Sequence, residues 1–133
     1  MNFDIEIVIR LVIATALGAL VGFQRERAHK PAGLRTHILI SLGAALFTVV
    51  SIYGFAGSAL DPSRVAAGIV TGIGFLGAGV ILHGVRGTVV LGLTTAASIW
   101  VTAAMGMAVG TGMYLIAVIT AIIVFLVLMI PNR

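Results

Sequence analysis

Hydrophobic residues in this chain run in long blocks, and the polar residues collect between them. A helix needs about 20 apolar residues to cross about 30 Å of hydrocarbon, with a working range of about 17–25. Five segments meet that requirement, at about 5–23, 34–53, 65–82, 88–108 and 113–130. The first break reads Gln-Arg-Glu-Arg-Ala-His-Lys-Pro at 24–31. The second, 54–63, contains Asp61-Pro62, where Asp61 suits the cap of the third helix and Pro62 its first position. Residues 83–87 form the third break. The fourth, 106–112, carries no charge, but spans four and five joined would exceed 40 residues, so a turn is expected there. The pattern predicts an all-α, polytopic membrane bundle of five transmembrane helices in a single domain over 1–133.

Composition agrees with the pattern. Hydrophobic residues make up 60% of the chain, charged residues 9%, and mean hydropathy is +1.21. A soluble domain of this size needs a charged surface that such a chain cannot supply. With no cysteine, disulfides, thiolate metal sites and a Cys nucleophile are excluded. Asp4 and Glu6 stand where a signal peptide would be basic, and no lipidation motif is visible. The net charge of +4 is clustered beside apolar runs, so anionic lipid headgroups are a simpler partner than nucleic acid. Arg25, Arg27, Lys30, Arg35, Arg86 and Arg133 fall on one side of five spans, leaving Arg10 and Arg64 near the other. The positive-inside rule then places the N-terminus outside and the C-terminus in the cytoplasm.

Lipid tails are as apolar as leucine, so helix association relies on close approach at small residues. Ala14, Gly18 and Gly22 repeat at i, i+4 in the first span. Gly68, Gly72, Gly74, Gly77 and Gly79 put small residues on several faces of the third, which is expected to sit centrally. The fifth span is bulky all round and is expected at the lipid-facing periphery. Gly72 to Gly77 matches G-x-G-x-x-G, but no βαβ context surrounds it, so a dinucleotide site is excluded.

Four strings in order along the chain carry a family resemblance: Gly18-Ala-Leu-Val-Gly-Phe-Gln-Arg-Glu26, Pro31-Ala-Gly-Leu-Arg-Thr-His37, Gly72-Ile-Gly-Phe-Leu-Gly-Ala-Gly-Val-Ile81 and Gly92-Leu-Thr-Thr-Ala-Ala-Ser-Ile-Trp100. The chain resembles the transmembrane domain of the MgtC/SapB family of bacterial inner-membrane proteins. The resemblance implies a five-helix domain with a cytoplasmic C-terminus. In many members a small soluble α+β domain follows; here the sequence stops at Arg133, as a short or truncated member without that domain would. The resemblance further implies adaptation to low magnesium, survival inside host cells in pathogens, and either magnesium transport or regulation of other membrane machinery, including the proton-driven ATP synthase.

Three polar groupings are candidate sites. On the outer side, Arg10 lies two turns into the first span, with Glu6 one turn earlier on the same face and Asp61 as a second candidate partner; Arg64 stands nearby. Snorkelling, a buried structural pair and a transport role are the competing readings of Arg10. On the cytoplasmic side, Glu26 is the only acid among Arg25, Arg27, Lys30, Arg35 and Arg86, with His37 opening the second helix and His83 closing the third. This is either a basic anchor or an ordered loop in which Glu26 pairs with Arg35, leaving a patch for an anion, a lipid or a partner protein. In the fourth span, Thr94, Ser98 and Thr102 at i, i+4 spacing, beside Thr95, either bond their own helix carbonyls or line a cavity. Trp100 sits mid-span, so its indole N–H is expected to face protein or water.

A magnesium site would want carboxylates in octahedral array. The chain has four acids, with Asp4, Glu6 and Asp61 on one side and Glu26 on the other. No triad or metal-histidine spacing is visible. The expectation is a non-enzymatic regulator, without cofactor or resident metal, that acts by helix contact with other membrane proteins. The alternatives are a homo-oligomeric ion or small-solute transporter and a lipid-binding scaffold.

Overall fold

A computed structural model describes residues 2–55, 61, 63–83 and 90–131. Five helices follow in order: α1 Phe3–Arg27, α2 Leu34–Tyr53, α3 Ser63–Gly79, α4 Leu93–Gly110 and α5 Tyr114–Leu128. Two-residue strands β1 (Leu82–His83) and β2 (Val90–Leu91) pair antiparallel between α3 and α4, with Leu82 opposite Leu91 and His83 opposite Val90. Three helices, α1, α2 and α4, are long and apolar enough to cross a membrane. The other two are shorter: the 17 residues of α3 and the 15 of α5 give about 25 and 22 Å at 1.5 Å per residue.

The fourth helix begins later than its apolar run. Gly92 precedes it at φ 86°, a left-handed conformation that no residue inside a right-handed helix adopts. A Cβ at Gly92 would also strike the Val80 carbonyl. The expected turn between the last two spans is present, closed by Gly112 at φ 88°. Pro62, Arg86, residues 84–89 and Arg133 lie outside the described residues, as does the side chain of His83.

The bundle is organised on α1, α2 and α4. Its interior combines many alanines and glycines with a few larger side chains, Ile99 and Met105 the largest of those fully buried, and most of its large hydrophobic side chains point outward. Ala14, Ala45, Ala103, Ala117 and Ala121 are buried, while Phe47, Leu39, Phe75, Leu115 and Leu126 are exposed. A water-soluble protein would not expose so many large hydrophobic side chains. Backbones approach closely at four glycines. A Cβ at Gly18 would lie 2.7 Å from the His37 carbonyl oxygen, and one at Gly22 would lie 2.8 Å from Leu34 Cα. A Cβ at Gly106 would collide with the Ser41 carbonyl, and one at Gly110 would come within 2.8 Å of the Ala45 carbonyl. The first pair joins α1 to α2, and the second joins α2 to α4.

The third helix is not central. Among its described residues only Ile69 and Gly77 are buried. Gly68 and Gly72 are exposed, and a Cβ at either would meet nothing within 4 Å; only Gly77 packs, against Ala96 of α4. Glycine density marked where backbones are able to meet, and α2 and α4 meet elsewhere, at Gly106 and Gly110. The fifth helix is peripheral, burying a stripe of Ala117, Ala121 and Val124.

Two classes of glycine therefore differ in cost. Gly106→Val should destabilise by about 1–3 kcal/mol or more through overpacking against backbone, whereas Gly68→Ala and Gly72→Ala should be neutral or slightly stabilising. Unfolding of the purified protein in detergent measures both.

Candidate functional site

Side-chain hydrogen bonds between helices concentrate at the two ends of the α1–α2–α4 core. At one end, Arg10 is 5% exposed although it lies inside an apolar helix. Its Nη2 donates to Glu6 Oε1 at 2.8 Å, its Nη1 to the Gly110 carbonyl at 2.8 Å, and Nη1 also reaches Tyr53 Oη at 3.3 Å. The guanidinium lies 5.5 Å from the Tyr53 ring centroid, and Phe3 meets that ring edge-on. Gly110 ends α4, and the last carbonyls of a helix have no partner within it and carry its negative dipole end. Arg10 thus ties α1 to the C-terminal ends of α2 and α4.

Asp61 is not Arg10's partner. Its carboxylate accepts from Ser63 N at 3.0 Å and Ser63 Oγ at 2.6 Å, capping α3. Those bonds hold its carboxyl below the usual carboxylate range. A carboxylate engaged in its own helix cap is committed locally, and Glu6 already stands one turn from Arg10. Arg64 is exposed.

At the other end, Arg25 is 3% exposed and His37 fully buried. Arg25 Nη2 donates to Thr95 Oγ1 at 2.8 Å, and His37 Nε2 lies 2.9 Å from Ser98 Oγ. His37 Nδ1 lies 2.9 Å from the Gly33 carbonyl. That oxygen can only accept, which puts a proton on Nδ1 and leaves Nε2 of the neutral ring to accept from Ser98. Ser98 Oγ also lies 2.7 Å from the Thr95 carbonyl, so its single hydroxyl proton serves one or the other. Thr102 Oγ1 bonds the Ser98 carbonyl at 2.6 Å, and Ser41 Oγ reaches across to the Ala14 carbonyl at 2.7 Å. These groups form a polar seam between α1, α2 and α4, packed by Gly18 and Gly22.

Three expectations are corrected by this geometry. Glu26 does not pair with Arg35: its Oε1 accepts from Leu34 N at 3.0 Å, at the start of α2. The first amide groups of a helix lack intrahelical partners, and α2 has no side-chain cap at Gly33. Glu26 supplies the acceptor, and a Cβ at Gly33 would collide with that carboxylate. Arg35 and Arg27 are exposed, the latter over the Phe23 ring. Thr94 is exposed, so the buried polar positions of α4 are Thr95, Ser98 and Thr102. Trp100 is 59% exposed, because at 3.6 residues per turn it lies roughly opposite Thr95 and Thr102.

Sequence reasoning missed the His37–Ser98 contact, Tyr53 beside Arg10, and Gln24 Nε2 donating to the Leu128 carbonyl at 3.1 Å. Each crosses between helices, and no spacing within one helix announces it. The available signal was unusual polarity at positions flanked by apolar ones: His37, Ser41 and Ser98.

The many exposed large hydrophobic side chains, with three spanning-length helices, define a helical membrane protein. A model of the MgtC family matches residues 11–133. The chain belongs to the MgtC family. It is 51% identical over 129 residues to YhiD of Escherichia coli K12, proposed by its name to be a magnesium transporter, covering 92% of this chain and 59% of that protein. It is 44% identical over 117 residues to protein SapB of Bacillus subtilis, covering 84% of this chain and 50% of SapB. It is 46% identical over 114 residues to protein MgtC of Brucella abortus, covering 86% of this chain and 46% of MgtC. The chain thus spans about half the length of the curated relatives it matches. No solved structure matches it.

Arg10→Leu leaves the Gly110 carbonyl without its donor and should cost about 1–3 kcal/mol. Glu6→Gln, at a partly exposed partner, should cost under about 1 kcal/mol. Denaturation midpoints in mixed micelles distinguish the two; equal losses would remove Arg10 from its tying role.

Proposed function

We propose that this chain is a non-enzymatic membrane protein of MgtC type that regulates other membrane proteins during adaptation to low magnesium or intracellular stress. The observation that supports this reading best is the filling of the core. The polar groups between α1, α2 and α4 hydrogen-bond one another or helix carbonyls, and glycine contacts close the space around them. The acids are separated: Glu6 and Asp61 serve the Arg10 end, and Glu26 caps α2 at the other. Among the described residues, no three histidines or acids lie together as a cation would need. A core of this kind favours action through its outer surface. The partners are then other membrane proteins, with the ATP synthase suggested by family resemblance, together with anionic lipids and further copies of the chain.

In this reading all five helices cross the bacterial inner membrane. The chain alternates direction, so the ends of α1, α2, α4 and α5 nearest Arg25 share one face. Arg25, Arg27, Lys30 and Arg35 make that the cytoplasmic face. Reporter fusions should place residue 131 inside and residue 55 outside; the opposite pattern would reverse the orientation.

The second reading is transport, supported by the name of the Escherichia coli relative. Reconstituted chain should not move Mg²⁺ faster than empty liposomes. Flux above that control, abolished by removing Glu6 or Asp61, would replace regulation with transport.

A further inference from the structure

We propose that the cavity beside Arg25 is a binding site for a phosphate group. The cavity has a volume of about 570 Å³ and lies between the C-terminal end of α1, the first turn of α4 and the C-terminal end of α5. Gln24, Arg25, Lys30 and Thr94 form its polar face, and residues 127–131 its apolar wall.

Arg25 carries the argument. Its side chain is withdrawn from water, and its hydrogen bond among the described residues goes to a neutral hydroxyl, Thr95 Oγ1. Its Nε is buried without a partner. A guanidinium in such surroundings calls for a counter-charge, and among the described residues no acidic side chain is free to give one. Glu26 is engaged at Leu34 N, Glu6 at Arg10 and Asp61 at Ser63, while Asp4 lies in the first turn of α1, at the far end. An anion from outside the chain would complete the site.

Three features fit a phosphate. Lys30 adds a second positive charge on the same cavity. The first turn of α4 also borders it; the helix has no side-chain cap, and helix N-termini favour anions. Gln24 donates its Nε2 to Leu128 and leaves Oε1 buried without a donor, which a phosphate hydroxyl or a headgroup hydroxyl would provide. The apolar wall beside this polar face accommodates the glycerol and first acyl carbons of a phospholipid. The cavity itself does not depend on the regulatory reading; only a lipid source for the phosphate rests on the chain lying in a membrane.

The test uses the full chain in neutral detergent, with phosphatidylglycerol, phosphatidylcholine and inorganic phosphate as probes, and thermal stabilisation and native mass spectrometry as readouts. Phosphatidylglycerol or inorganic phosphate should stabilise the protein where phosphatidylcholine does so less. Arg25→Gln and Lys30→Gln should each raise the half-saturating concentration about tenfold, as loss of a charge-assisted contact predicts. Arg27→Gln removes the same charge outside the cavity and should change it less than about twofold. Saturation by phosphatidylglycerol that inorganic phosphate does not displace supports the site with a lipid source. Saturation by inorganic phosphate alone supports it with a free one. Equal weakening by Arg27→Gln, or stabilisation by neither probe beyond phosphatidylcholine, overturns the proposal. Lys30 is exposed, so Lys30→Gln decides the matter even if Arg25→Gln does not fold.

Discussion

Direct backbone contact among α1, α2 and α4 is the constraint on which the rest of this structure depends. In lipid there is no net gain from hiding one leucine against another, so helices hold together by approach distance and by polar bonds. Gly18 and Gly22 let α1 lie on α2, and Gly106 and Gly110 let α2 lie on α4. That closeness brings Ser41 Oγ within reach of the Ala14 carbonyl and His37 within reach of Ser98. Without it, Arg10 would not span three helices. The glycine contacts and the polar seam are one arrangement: the first sets the distance, and the second uses it.

The same constraint explains where the bulky residues went. A core made at glycine and alanine distances has room for few of them, Ile99 and Met105 among these, so most face outward, where hydrocarbon receives them. Trp100 and Phe75 belong to that outer surface. Their exposure is the ordinary condition of a membrane protein's perimeter, and α3 and α5 meet the central trio with little more than a narrow stripe each.

The helices were legible because a run of about 20 apolar residues has few alternatives; α2 begins and ends where its apolar run does. The start of α4 was less legible, because Thr88 to Leu91 are apolar enough for a span yet lead into a left-handed glycine. Glycine content alone misplaced α3. A small residue permits contact on any face, and which face is used depends on a partner helix that one strand of text does not show. Among the polar groups, Glu6 beside Arg10 followed from one-turn spacing, whereas Glu26 at Leu34 N depended on the fold of the loop between α1 and α2. The fourth helix shows the limit well. Counting by fours linked Thr94 to Ser98 and Thr102, but the buried arc of the real helix is centred on Thr95 and Thr102, with Thr94 just beyond its edge.

The positions of Arg10 and Arg25 on α1 have a mechanical meaning. The two are fifteen residues apart, which is about 22 Å along the helix axis, and each is held by a bond to another helix at its own end. A piston stroke of α1 by one turn would drag one guanidinium from its acceptors into the apolar layer. The central trio is therefore locked in axial register, like a rod pinned at both ends. Among the described residues, α3 has no side-chain hydrogen bond to another helix, its Thr71 turning back to Ala67. If this bundle transmits a signal by movement, α3 is the element with the freedom to slide.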